Sequence, residues 1–463
     1  MERRSRVAVA FLGAVLGAVL PGGETMAQVI QVDGIRLIHV AQPGLGIVQV
    51  EVVIESGSMR DPDGLEGLAN LTASMLLRGT TTRTYRKIMG EVNDLGATVE
   101  AEAQKDAIVL AGDVMPRYLD RWAGIMADVL AHPSFPADAF GQERSLILED
   151  IRNLRDDDAE LARHFFARFL YRGHPLGRPT MGYTSTVAKI KRKDCDAFYR
   201  AHVRKGNVVV VVAGDLDLAG AKALARTLTA GIPDGPRDVP GLPPPPAPKG
   251  LSVLIVDKPD RSQTQVAIGH PSIAWRDPDL FPLLVGNTAM GGTFTSRLVR
   301  EIREVRGWSY GVSSSITAGR DFGTLVVHFF PNTKDTVPAI RLALDMLRDA
   351  AANGLPEDEV AFARDHLANQ FPFRVETSRK RADEVLADLL YDRPEGFLER
   401  YIPSVKAQDA AAVAAALHRQ YRPDQAVIVV VGTAKDLMDD LKTIPGVTSV
   451  EVVPYTADEL PTP

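Results

Sequence analysis

The sequence predicts an α+β chain of two duplicated domains, each a mainly antiparallel sheet with helices packed on one face. Three observations carry that prediction. A proline-rich run, Val239-Pro240-Gly241-Leu242-Pro243-Pro244-Pro245-Pro246-Ala247-Pro248, divides the chain into parts of similar length. Each part orders its segments as strands, several consecutive helices and a strand, unlike the strict alternation of a βαβ fold. Three short segments of the first part also recur in the second.

The recurrences come in order and at nearly constant offset. Arg60-Asp61-Pro62-Asp63 returns as Arg276-Asp277-Pro278-Asp279, 216 residues later. The valine run 208–212, continuing into Ala213-Gly214, returns at 427–431 before Gly432, an offset of 218. Phe169-Leu170-Tyr171 matches Leu389-Leu390-Tyr391 at an offset of 220. One such pair could be chance, whereas three in sequence indicate a duplication.

The elements follow from periodicity. Residues 47–54, 107–110 and 208–212 are β-branched or partly alternating and predict strands. Residues 65–77, 118–130, 139–154 and 187–198 have helical spacing, as do 337–347 and 357–370 in the second half. The proline run can neither donate ladder hydrogen bonds nor hold a helix, so it is an extended linker. The expected organisation is a leader at 1–27, domains at 28–235 and 251–456 joined by a linker at 236–250, and a tail at 457–463. Two such halves could enclose a space between their sheets.

Composition narrows the function. The formal net charge is −6, which argues against a general nucleic-acid binder because few phosphates would be neutralised. The basic stretch Lys189-Ile190-Lys191-Arg192-Lys193 reads as one solvated helix face. The N-terminus has Arg3, Arg4 and Arg6, then an apolar run from Val7 to Leu20, then Pro21-Gly22-Gly23 and Thr25-Met26-Ala27. That is the pattern of an export signal cut before Gln28, too short to span a bilayer comfortably, with an uncleaved membrane anchor as the alternative. The expected location is periplasmic or secreted, with no membrane association after the leader is removed. Its loss removes three arginines and two glutamates, leaving a net charge of −7. Cys195 is the only cysteine, so no intrachain disulfide forms, and its charged helical context reads as incidental.

The stretch Gly67-Leu68-Ala69-Asn70-Leu71-Thr72-Ala73-Ser74-Met75-Leu76-Leu77-Arg78-Gly79-Thr80 resembles the zinc helix of the pitrilysin-like (M16) metallopeptidase family. In active members that helix carries His-x-x-Glu-His, whose i, i+3 and i+4 positions share one face, two histidines for zinc and a glutamate to polarise water. The matching positions here are Asn70, Ala73 and Ser74. The family's third ligand is a glutamate further along, in a segment similar to Glu143-Arg144-Ser145-Leu146-Ile147-Leu148-Glu149-Asp150-Ile151. It aligns with Asp150, or with Glu149 as the near alternative. Alanine cannot transfer a proton, and neither Asn nor Ser is a normal zinc ligand. No two of the nine histidines stand closer than ten residues, so no second His-His motif replaces the lost one. The resemblance therefore implies a degenerate zinc site and no metal or other cofactor on this chain.

The second half resembles the family differently. Gly291-Gly292-Thr293-Phe294-Thr295-Ser296-Arg297-Leu298-Val299-Arg300-Glu301-Ile302-Arg303-Glu304-Val305-Arg306-Gly307-Trp308-Ser309-Tyr310-Gly311-Val312 is similar to the C-terminal-domain motif in which an arginine and a tyrosine reach the substrate. The matching residues are Arg303 and Tyr310. On residue pattern alone, Thr295 or Ser296 would cap a helix with apolar positions Leu298, Ile302 and Val305. Gly307 would end it, and a strand would begin at Tyr310. By that pattern Arg303 could equally be a salt-bridged surface charge and Tyr310 a half-buried strand residue. The resemblance favours a catalytic pair whose donors suit a peptide carbonyl and the oxyanion formed on it.

The resemblance thus implies the non-zinc subunit of a heterodimeric metallopeptidase. A His-x-x-Glu-His subunit is the expected partner and would hold the zinc, and a peptide or unfolded protein is the expected substrate, held in extended form at a sheet edge. The alternative is a proteolytically inactive peptide-binding or scaffold protein of the same fold. A self-sufficient hydrolase fits least, since no Gly-x-Ser-x-Gly elbow or Cys–His pair is evident.

Overall fold

The computed structural model describes residues 27–460. All but the last residue of the expected leader, and residues 461–463 of the tail, lie outside the described residues.

Each half is built on one six-stranded mixed sheet. The first contains β1 (Gln28–Val32), β2 (Ile35–Ala41), β3 (Val48–Ile54), β4 (Glu100–Ala103), β5 (Ile108–Val114) and β6 (Val208–Gly214), in the order β1-β2-β6-β3-β5-β4. The second contains β7 (Leu251–Asp257), β8 (Gln265–Ser272), β9 (Ser309–Thr317), β10 (Gly323–Pro331), β11 (Val427–Gly432) and β12 (Val447–Pro454), in the order β12-β7-β11-β8-β10-β9. In the first sheet only β2 and β6 pair in parallel. In the second, β7 pairs in parallel with both β11 and β12. The duplicated segments occupy equivalent places. β6 and β11 hold the same central position, and the two Arg-Asp-Pro-Asp corners follow β3 and β8.

The valine runs explain how the halves are joined. In β6, Val208, Val210 and Val212 pack on the half's own helices, whereas Val209, Val211 and Ala213 face the other way and are equally buried. A strand can be apolar on both sides only when both faces are covered. The second cover comes from the opposite half. Helix Ser378–Leu390 of the second half lies on β2 and β6, placing Ala382, Val385, Leu386 and Leu389 in that cluster. Reciprocally, helix Asp158–Leu170 of the first half lies on β8 and β11 through Leu161, Phe165, Phe166 and Phe169. The third repeated segment, residues 169–171 and 389–391, closes these two exchanged helices. Helices therefore pack on one face of each sheet from its own half, as expected, and part of the other face is closed by exchange. Each fully buried Val or Leu in these layers contributes about 1.5–3 kcal/mol.

Polar contacts fasten the exchange. Lys258 pairs with Asp158 at 2.5 Å in the first turn of one exchanged helix, and Glu51 of β3 pairs with Arg379 in the first turn of the other. Tyr171 Oη donates to Gly323 O at 2.7 Å. The tail adds a clasp, since Asp458 accepts from Thr184 N at 2.8 Å and Ser185 N at 2.7 Å in the first half. The proline-rich segment has no regular structure and is held on both sides, with His174 bonding Pro243 O at 2.9 Å and Arg320 donating to Pro240 O at 2.6 Å.

Two local expectations are corrected. The predicted helix 187–198 is two helices, Thr184–Val187 and Arg192–His202, and the break falls on the basic stretch. Lys189, Lys191, Arg192 and Lys193 are exposed there, but they do not form one helix face. Val305, expected on a buried face, is 64% exposed. Residues 300–305 form π-helix, whose i→i+5 turns rotate each residue less than α-helix does, so the 298, 302, 305 spacing leaves the core after Ile302.

Candidate active site

The first-half positions sit on helix Leu68–Leu76, which packs against edge strand β4. Asp61, from the repeated corner, orients the start of that helix by accepting from Gly67 N and Ala69 N, each at 2.8 Å. Ala73 is fully buried in the first-half core. Ser74 turns its hydroxyl back onto its own helix, donating to Asn70 O at 3.2 Å and Leu71 O at 3.1 Å. Asp150 and Glu149 are both exposed on helix Ala137–Asn153. The carboxylate of that helix that turns inward is Glu143, paired with Arg78 at 2.8 Å. Arg78 also lies over the Tyr85 ring at 4.6 Å.

This set does not fit zinc. A methyl group, an amide, a hydroxyl spent on its own backbone and a solvent-facing carboxylate lack the nitrogen and sulfur donors that zinc prefers. Among the described residues, no group of three or more His, Cys, Asp or Glu side chains is arranged to hold a metal ion. Cys195 is buried, and burial pushes its thiol up to about 12, the opposite of an activated nucleophile.

The second-half pair is assembled by two π-helical stretches, Thr288–Gly292 and Arg300–Val305, and the strand that follows. Gly291 is required by close approach, because a Cβ there would lie 2.5 Å from Ser314 Cβ on β9. Ser296 occupies the helix N-cap position, but its hydroxyl donates to Thr293 O at 2.6 Å and closes the turn instead of capping the helix. Gly307 reverses the chain at φ +64°, with its N–H donating to Arg303 O at 3.1 Å and Trp308 N–H donating to Ile302 O at 2.9 Å. The strand then begins, and Tyr310 emerges 79% exposed on edge strand β9.

Charge pairing in this segment is uneven. Arg297 pairs with Glu359, Arg300 lies 3.8 Å from Glu301, and Arg306 pairs with Glu301 at 2.5 Å. Arg303 has no carboxylate partner among the described residues, and its Nη1 is buried without a hydrogen bond. Its guanidinium lies instead over two rings, 4.0 Å from the Phe294 centroid and 5.0 Å from that of Tyr310. Asn70 and Ser74 thus meet on one half, and Arg303 and Tyr310 on the other. Two features escaped the sequence reading, namely Phe294 and the Arg78–Glu143 pair. Phe294 was visible as a large apolar residue inside a Gly-Thr-Ser turn. The Arg78–Glu143 pair left no sequence signal.

Polar space lies beside β4. A cavity of about 300 Å³ is lined by Glu51, Glu100, Glu102, Arg379 and Asp383. Burial raises the Asp383 carboxyl above its usual range.

Arg303 and Tyr310 thus stand together on the second of two duplicated α+β halves. Residues 37–184 match the model of the insulinase family (peptidase family M16), and residues 189–367 match that of the peptidase M16 inactive domain. The chain belongs to the M16 peptidase family. A protein of Mycobacterium bovis described as an uncharacterised zinc protease is 28% identical over 460 residues, covering 96% of this chain and 100% of that protein. The crystal structure of a peptidase M16 inactive domain from Pseudomonas fluorescens superposes with a TM-score of 0.81 at 26% identity, covering 88% of this chain and 98% of that one. A protease from Helicobacter pylori shares the fold, with a TM-score of 0.78 at 17% identity over 88% of this chain and 99% of its own.

Proposed function

We propose that this chain is the zinc-free subunit of a heterodimeric M16 metallopeptidase, exported through its leader to the periplasm or beyond. The observation that carries the reading is Arg303, stacked beside an exposed Tyr310 and free of any carboxylate partner among the described residues. A surface arginine kept for solubility or a helix pair would be neutralised as its three neighbours are. A guanidinium and a phenol side by side offer two donors to one peptide carbonyl, and they bind it most strongly as its oxygen takes on negative charge. Asn70, Ala73, Ser74 and Asp150 cannot hold the metal, so the metal and the attacking water belong to a partner carrying His-x-x-Glu-His. The peptide would lie extended along a free sheet edge, where backbone pairing holds it without sequence-specific contacts.

The test is isolation of the tagged chain from its native host, followed by zinc analysis and a peptide-cleavage assay. The expected result is a complex with a second M16 subunit, zinc in the complex, and none in this chain after separation. Recovery without a zinc-binding partner would favour the scaffold reading.

A further inference from the structure

We infer that Phe294 is a positioning residue, one that holds the Arg303 guanidinium against Tyr310 so that both donors address one carbonyl. The inference rests on the role proposed for Arg303 and Tyr310 and adds a third member to that site. Phe294 is 68% exposed and stands outside the second half's apolar core, so burial gives no reason for an aromatic side chain there. Its ring lies 4.0 Å from Arg303 Cζ, closer than that of Tyr310. The turn that carries it is pinned at both ends. Ser296 Oγ closes it on Thr293 O at 2.6 Å, and Gly291 seats its base against Ser314 of β9, the strand that presents Tyr310. The ring, the guanidinium and the phenol therefore share one rigid support.

The physical role follows from rotamer freedom. An arginine without a carboxylate partner samples many conformers, and those lost when it engages the developing oxyanion cost free energy. Contact with the two rings restricts the planar guanidinium while leaving edge hydrogens free to donate. Apolar packing alone would not do this, because the attraction comes from the negative face of the ring. Once substrate excludes water, a cation–π contact of ~1 to ~2 kcal/mol corresponds to about a five- to thirtyfold effect.

The experiment uses the heterodimer and an internally quenched peptide that the wild-type complex cleaves. Phe294→Ala is expected to lower kcat about five- to thirtyfold with KM nearly unchanged and the melting temperature unaltered. Phe294→Tyr and Phe294→Trp should restore the rate, and Phe294→Leu should not. In a double-mutant cycle, Phe294→Ala added to Arg303→Ala should cost nothing further, since the ring acts through the guanidinium. Wild-type kcat in Phe294→Ala beside a slow Arg303→Ala overturns the positioning role alone, as does full activity in Phe294→Leu. An Arg303→Ala complex that cleaves at the wild-type rate removes the function assigned to the pair, and the inference with it.

Discussion

Arg303 and Tyr310 stack with 5.0 Å between guanidinium carbon and ring centroid, although the chain reverses at Gly307 between them. Tyr310 is 79% exposed, and neither side chain belongs to the second half's apolar core. Replacing Arg303 by Ala, or Tyr310 by Phe, should therefore leave thermal unfolding unchanged and lower peptide cleavage by the heterodimer about a hundred- to thousandfold. Parallel melting curves and initial rates check this, and wild-type rates in both variants would defeat it.

The zinc helix cannot be restored by single substitutions. Ala73 is fully buried among apolar side chains, so Ala73→Glu must force a carboxylate and extra volume into a packed layer. Overpacking alone costs about 1–3 kcal/mol, and an unpaired buried carboxylate adds to it. Urea unfolding of Ala73→Glu should show that loss, whereas Asn70→His, on a partly exposed position, should be nearly neutral.

Asp128 gives a pH signature. Burial pushes its carboxyl up, but hydrogen bonds from Thr80, Thr82, Arg83 and His132 outweigh burial and hold it down to about 2. The folded value lies below the ordinary 3.8, so the unfolded chain takes up the proton first. The stabilisation is complete above about pH 4 and is lost as pH falls through about 2. Asp128→Asn should cost about 1–3 kcal/mol at pH 7, and the difference from wild type should shrink steadily below pH 4. Urea titrations at pH 7, 4 and 3 measure it, and a constant penalty would refute the assignment.

The exchanged helices predict that the halves stay together when cut. A protease site replacing residues 244–248 opens the linker without touching either sheet. After cleavage, both fragments should coelute in gel filtration, because each sheet keeps one face on a helix of the other half. Separation in native buffer would contradict the exchange.

Much of this architecture was legible in the sequence, and its failures are instructive. The three repeated segments marked equivalent strands, corners and helix ends, because a duplicated fold keeps the residues that its geometry needs. The continuous β-branched runs of β6 and β11 already required two covered faces, but no local pattern says that the cover of β6 starts only at Ser378, 164 residues after Gly214 (378 − 214). Val305 was misplaced because periodicity assumes 3.6 residues per turn, and a π-helix breaks that assumption. The site positions could be named from the motif. Helical spacing places Glu143 on the stripe of Phe140, Ile147 and Ile151 and Asp150 off it, but that Arg78 meets Glu143 depends on helix packing, which a single sequence does not encode locally.

The helix exchange also sets an order of events in time. Strands β1 to β6 leave the ribosome complete at Gly214, yet the helix that closes their second face starts only at Ser378. At ~5–20 residues per second that interval is on the order of ten to thirty seconds. Throughout it, the alternate valines of β6 have no cover of their own. Until the second half arrives, that face of the first half is exposed apolar surface.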